Sequence, residues 1–186
     1  MLRAVADHYR EVELNGPDLA EFLRLLATTR PRANTHVRRF RWTGDRQDWF
    51  RTGTSLETFE AFRELFGSAA ARTAMPDVLD PFPFPIGTPP KFAAVPGGAL
   101  RLDGDLAALL VLGGAYRRFP GPQRTAKAKA VAAVHDLVHD HFEDFSVYSS
   151  DEAWSPWFAD AGLDQTWLLV DQRHAAVTVI CTTDSD

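Results

Sequence analysis

"TWLLVDQRHAAVTVICT", residues 166–182, is the stretch that decides the fold. Two runs rich in Val, Ile, Leu and Thr flank "DQRH" (171–174), and such side chains suit the pleated surface of a strand. The pattern predicts a hairpin integral to a larger sheet. Val177, Val179 and Cys181 share one strand face, so Cys181 reads as a buried structural thiol with no neighbouring motif that would make it a nucleophile.

Working outward toward the N-terminus, "DFSVYSS" (144–150) reads as another strand. "HYREVELNG" (8–16) is a strand that ends in the Asn15-Gly16 turn signal, and "THVRRFRWTG" (35–44) alternates as a strand. Between them Pro17 opens a helix with Leu19, Phe22, Leu23 and Leu26 at helical spacing. "TSLETFEAFRELFG" (54–67) starts with a capping box, Thr54 and Glu57, carries Leu56, Phe59, Phe62, Leu65 and Phe66, and can stop at Gly67. "LDGDLAALLVLGGAYRRF" reads as a central buried helix that begins at Asp103 or Asp105 and stops before Pro120, with Gly113-Gly114 open to close approach. "PQRTAKAKAVAAVHDLVHDHF" is a long helix. "SPWFADAG" has a Ser155 cap, Pro156 at the first helical position and Gly162 as a stop.

Seven of the twelve prolines fall within residues 76–96. Proline removes donors and restricts its predecessor, so no long element survives there. Phe82, Phe84 and Phe92 mark the stretch as an ordered loop at about 75–98, packed on the core. Strands near both ends with four to five helices between them give an α+β fold with a largely antiparallel sheet, in one domain over 1–186.

The chain has one cysteine and a formal charge of −5. One cysteine fits a reducing compartment. The start lacks a signal-peptide h-region, and the longest apolar run is too short to span a bilayer. The expected location is the bacterial cytoplasm, with no membrane association. Seventeen of the twenty basic residues are arginine, a usage that a GC-rich genome explains as well as any function.

Charge is unevenly placed. Residues 106–135 carry five basic groups and no acid, whereas residues 136–186 carry eleven acids against Arg173 alone. Within the latter, Trp154 and Trp157 sit among Asp151, Glu152, Asp160 and Asp164. Buried aromatic anchors with a charged rim are how a surface grips a partner of opposite sign. These six residues are the expected contact set for a basic protein partner. That reading makes the chain a non-catalytic binding domain, in the manner of an immunity protein or antitoxin-type inhibitor, with no cofactor.

The alternative is a small metal-dependent or hydrolytic enzyme. "HDLVH" places His135 and His139 one turn apart, the HxxxH spacing of zinc sites, but a third ligand is not evident. On the helical period His141 points elsewhere. No nucleophile elbow, P-loop or dinucleotide fingerprint is present. A third stretch, "RPRANTHVRRFRWTGDR" (30–46), interleaves arginines with aromatics as single-strand nucleic-acid binders do. Arg38, Arg39 and Arg41 are its anion-binding candidates. The negative overall charge argues against a dedicated nucleic-acid binder. The competing expectation is an edge strand whose arginines pair with the acidic C-terminal quarter.

Overall fold

The computed structural model describes residues 8–30, 35–53, 64–80, 91–114, 116–158 and 164–184, with residues 51–53 in backbone only. The strands are β1 (Tyr9–Val12), β2 (Thr35–Trp42), β3 (Ala93–Ala94), β4 (Phe145–Ser150), β5 (Gln165–Asp171) and β6 (Ala176–Thr182). They form one six-stranded sheet in the order β1-β2-β6-β5-β4-β3, and every pairing is antiparallel. The fold is α+β. The hairpin is its centre, with Asp171 opposite Ala176 at the turn and Gln165 opposite Thr182 at the far end.

Three long helices cover one face: α1 (Pro17–Thr29), α5 (Ala99–Leu112) and α6 (Gln123–Val138). Phe145, Val147, Trp167, Leu169 and Ile180 project from the strands into this layer. The alanines of α6, Ala126, Ala130 and Ala133, are fully buried, and their small side chains let neighbouring helices approach closely. On the other face Phe40, Leu168, Val170, Val177, Val179 and Cys181 meet an aromatic layer that includes Trp49, Phe66, Phe92 and Trp154. Short helices α2 (Arg46–Gly53), α3 (Ala69–Ala74) and α4 (Pro76–Leu79) lie on the chain segments that supply part of that layer. Every residue of β6 is buried because both faces of the sheet are covered. Burying a side chain such as Val179 stabilises the fold by about 1.5–3 kcal/mol.

Several elements differ from their sequence reading. The central helix starts at Ala99, just after Gly97 and Gly98 take φ of 87° and 52°, and it stops at Gly113 with φ 64°. It is not apolar-buried all round, since Leu100 and Leu112 are exposed. The long helix ends at Val138, and His139 is its left-handed cap, with φ 50° and ψ 42°. β2 is not an edge strand, for it pairs with β1 on one side and β6 on the other. Residues 155–158 form a turn rather than a helix start, with the Phe158 N–H donating to the Ser155 carbonyl. The capping box at Thr54 and Glu57, together with Phe82, Phe84 and Gly162, lies outside the described residues. Residues 64–67 are helical, and Leu65 and Phe66 are buried.

Candidate functional site

The hairpin turn brings chemistry to the β1–β2 end of the sheet. Asp171 closes β5, and its Oδ1 accepts the His174 backbone N–H at 2.9 Å, which shapes the turn. Its Oδ2 accepts from Arg39 Nη2 and lies 2.9 Å from His174 Nδ1. An ionised carboxylate can only accept, so Nδ1 carries a proton and Nε2 remains for other partners. Arg39 and Asp171 are both buried, and Arg39 also donates to the Leu137 carbonyl at 3.4 Å.

Two shallow clefts adjoin this pair, joined by Arg41 and His174. One, of about 280 Å³, is lined by Glu13, Asn15, Arg39, Arg41, His139 and His174 among others. The other, of about 340 Å³, is lined by Arg41, Trp42, Arg46, Arg173 and His174 with backbone-rich Gly44 and Ala175. Arg41 and Arg46 are exposed, and Arg46 Nη2 donates to the Arg173 carbonyl at 3.0 Å.

The anion-binding candidates of β2 therefore separate. Arg39 is buried in its pair with Asp171, in line with internal pairing. Arg38 faces Glu11 at 3.5 Å and the Ala74 carbonyl at 3.4 Å. Arg39 borders only the first cleft, and of the three Arg41 alone lines both. The residues that join it there, Arg46, Arg173 and His174, come from a helix start and a turn, and no local motif marks them.

His135 and His139 are not brought to one point. The His135 ring is held by Asp140 and sits edge-on to Phe142 at 5.5 Å, while His139 lines the cleft beside Arg39. The reason is the end of α6 at Val138, which breaks the helical register that the HxxxH spacing assumes. Among the described residues, three potential metal ligands approach one another only at His141, Glu143 and Asp144. There Arg173 Nη1 lies 3.2 Å from His141 Nδ1 and 3.6 Å from Asp144 Oδ2, so a guanidinium already occupies the cationic position.

The acidic, tryptophan-bearing quarter is also divided. Trp154 is 7% exposed, stacks on Phe66 at 5.0 Å and donates to Thr166 Oγ1 at 2.9 Å. Asp164 is 2% exposed and accepts from Thr183 Oγ1 at 2.6 Å. Both belong to the interior and cannot serve as surface contacts, because the aromatic layer over the sheet takes the one and the C-terminal polar cluster the other. Trp157 is half-buried against the His36 ring. Asp151 and Glu152 are exposed, with Glu152 facing Lys91 at 3.6 Å. Asp160 lies outside the described residues. Much of the local negative charge is engaged within the protein: Asp136 accepts the Leu19 N–H, Asp171 binds Arg39, and Asp164 and Asp184 face the buried Arg30. Burial lowers the pKa of Arg30, and those two carboxylates oppose the shift.

Cys181 is fully buried, and burial pushes its thiol up to about 12. The site class defined here is a cationic surface cleft on an α+β scaffold. Comparison with protein-family models, curated proteins and solved structures finds no match. Among the described residues no helix is long and apolar enough to cross a membrane.

Proposed function

We propose that this protein is a non-catalytic protein-binding domain whose docking surface is the outer side of α5 and whose partner is acidic. One observation carries the reading. Of the four large hydrophobic residues exposed among the described ones, three belong to α5 and the segment that follows it: Leu100 at 71%, Leu112 at 66% and Tyr116 at 64%. Leu112 and the exposed Ala108 lie about one turn apart at the C-terminal end of α5, a few residues before Tyr116, while Leu102, Leu106, Leu109 and Leu110 face the core and Leu100 is exposed at the helix start. The solvent side of α5 carries Arg101, Asp103 and Asp105 near its start and is apolar only toward its end, at Ala108 and Leu112, where a partner surface would cover it.

The surroundings select the partner. Arg117 and Arg118 are exposed beside Tyr116 and residues 106–135 contain no acid, whereas Arg101, near Leu100, faces Asp105 at 3.5 Å. Tyrosine and arginine are the side chains that interfaces favour, and a basic rim steers acidic partners. A cleft of about 320 Å³ opens next to Leu112, with Leu109 and Trp167 in its wall, and offers a seat for a partner's anchor. The binding class matches the sequence reading, but the surface and the sign of its charge are opposite. The acidic quarter supplies no exposed tryptophan anchor at Trp154.

The test is affinity capture followed by measurement with the purified partner. An acidic protein should bind the full chain. Both Leu112→Asp/Tyr116→Asp and Arg117→Glu/Arg118→Glu should weaken it by about tenfold or more. Thermal melts should change little, because these side chains are exposed. A basic partner, or binding indifferent to both variants, would refute the reading. So would a concentration-dependent dimer dispersed by Leu112→Asp, which would assign the face to a second copy.

A further inference from the structure

We infer that the hollow between the end of β2 and the hairpin turn is a binding site for a phosphate group. Four cationic or potentially cationic side chains converge there from three separate segments. Arg41 comes from β2, Arg46 from the first position of α2, and Arg173 and His174 from the turn. No carboxylate lines this hollow. Of the neighbouring acids, Asp171 binds Arg39 and His174, Asp144 lies 3.6 Å from Arg173, and Asp45, between Gly44 and Arg46, accepts the Gln47 N–H at 2.6 Å.

The fold compensates this positive charge only in part: Arg173 faces Asp144 and His174 faces Asp171, whereas Arg41 has no carboxylate partner among the described residues. Arg10 of β1 stands directly opposite Arg41 in the sheet, and both are exposed. Like charges directly opposite one another across a strand pair repel. Among the described residues neither is paired with a carboxylate, and Arg46 spends its hydrogen bond on the Arg173 carbonyl. An anion seated against Arg41 in the hollow would offset that repulsion.

The backbone supports the same location. His139, Asp140 and Ala175 are the non-glycine residues with positive φ among those described. Ala175, at φ 49°, lines this hollow, and His139 lines the adjoining cleft. A side chain in the left-handed region is disfavoured, and such positions cluster where a site needs a particular geometry. Here the turn at Ala175 is what brings His174 and Arg173 alongside Arg41.

The arrangement of donors selects the chemistry. One guanidinium fork satisfies a planar carboxylate, whereas donors arriving from several directions suit a tetrahedral oxyanion. In its imidazolium form His174 adds a directional donor at Nε2, since Asp171 holds its Nδ1 side. The source of the phosphate can be the free ion or a small ester, and the two are separable by experiment.

The full chain is titrated near neutral pH, at constant ionic strength, with inorganic phosphate and separately with glycerol phosphate, following backbone amide shifts by NMR. Saturable shifts at Arg41, His174 and Ala175 are expected for at least one of them. Equal affinities would identify the phosphate group alone as the ligand, and tighter glycerol phosphate binding would identify an ester. Arg41→Gln and Arg173→Gln should each weaken binding by about tenfold or more, while Arg124→Gln, on the exposed start of α6, should leave it unchanged. Two arginine variants are used so that a folding defect in one leaves the other informative. Non-saturating shifts with both compounds, identical shifts from sodium acetate, or unchanged affinity in a folded arginine variant would overturn the assignment.

Discussion

Both oxygens of Asp171 are spoken for inside the protein, one by the turn it begins and one by Arg39 and His174. A buried ion pair contributes little beyond a well-packed apolar pair, yet removing one partner strands the other charge in the interior. The sequence could nominate Arg39 as an anion binder because a strand residue carries no mark of which neighbour it will meet. Cys181 is the opposite case, since its burial was legible from the apolar strand around it. Its thiol, pushed up to about 12 by burial, stays protonated and enclosed at pH 8. Thiol labelling in native buffer should therefore proceed only through opening of the sheet, and rapid labelling without denaturant would contradict this burial. Because the folded value lies above the unfolded one of about 8.5, the contribution is fully present below that pH. It is lost as pH rises toward the folded value. Relative to Cys181→Val, the wild type should lose about 1.4 kcal/mol per pH unit between pH 9 and 11. Parallel alkaline stability curves for the two proteins would refute this.

At the scale of elements, helix ends were the least legible features. The residue before α1 is Gly16, which has no side chain to cap the helix. The cap comes from α6, where Asp136 Oδ2 accepts the Leu19 N–H at 2.8 Å. Gly16 permits this, because a Cβ there would stand 2.5 Å from that same oxygen. Asp136→Ala should cost about 1 kcal/mol in urea unfolding, and Asp136→Asn, which keeps an acceptor, should recover most of it. An Ala variant as stable as the wild type would show that the contact contributes nothing. The same helix explains the failed metal spacing, since the helical period predicts facing histidines only while the helix continues. His139 lies one residue past the end of α6. The central helix shows the converse, because its Gly97-Gly98 start and Gly113 stop are backbone signals that composition alone blurs.

Across the whole molecule, the ends of α1, α5 and β6 meet at one polar cluster. Gly114 donates its N–H to the Thr29 carbonyl at 3.2 Å and to the Arg117 carbonyl at 3.0 Å. A Cβ at this position would lie 2.0 Å from Asp184 Oδ2 and 3.1 Å from the Thr29 oxygen. The close approach expected of Gly113-Gly114 is thus made by the C-terminal segment. Asp184 is buried there with Asp164 and Arg30. Gly114→Ala must displace backbone or a buried carboxylate, and should destabilise by about 1–3 kcal/mol, lowering the melting temperature measured by calorimetry. An unchanged melt would mean that the three ends are not locked together as described.

Strands, helix interiors and the α+β class were readable from the chain because hydrophobic period and turn residues report each segment's own contrast between core and solvent. The hairpin at 166–182 is the clearest instance, and the buried face of α1 another. Which segments become neighbours is a different kind of information. β2 lies between β1 and β6, Arg39 meets Asp171 across 132 residues of sequence, and the acids of the last quarter find Arg30, Arg39 and the α1 terminus. Charge counts along the chain described a strongly negative quarter, and folding engaged much of it internally. Leu112 reads as core in the apolar run of the central helix and is left on the surface by the position of α5. Local patterns specify what each segment would bury, but the partner that buries it, or the ion that neutralises it, is chosen only when distant segments compete for the same space.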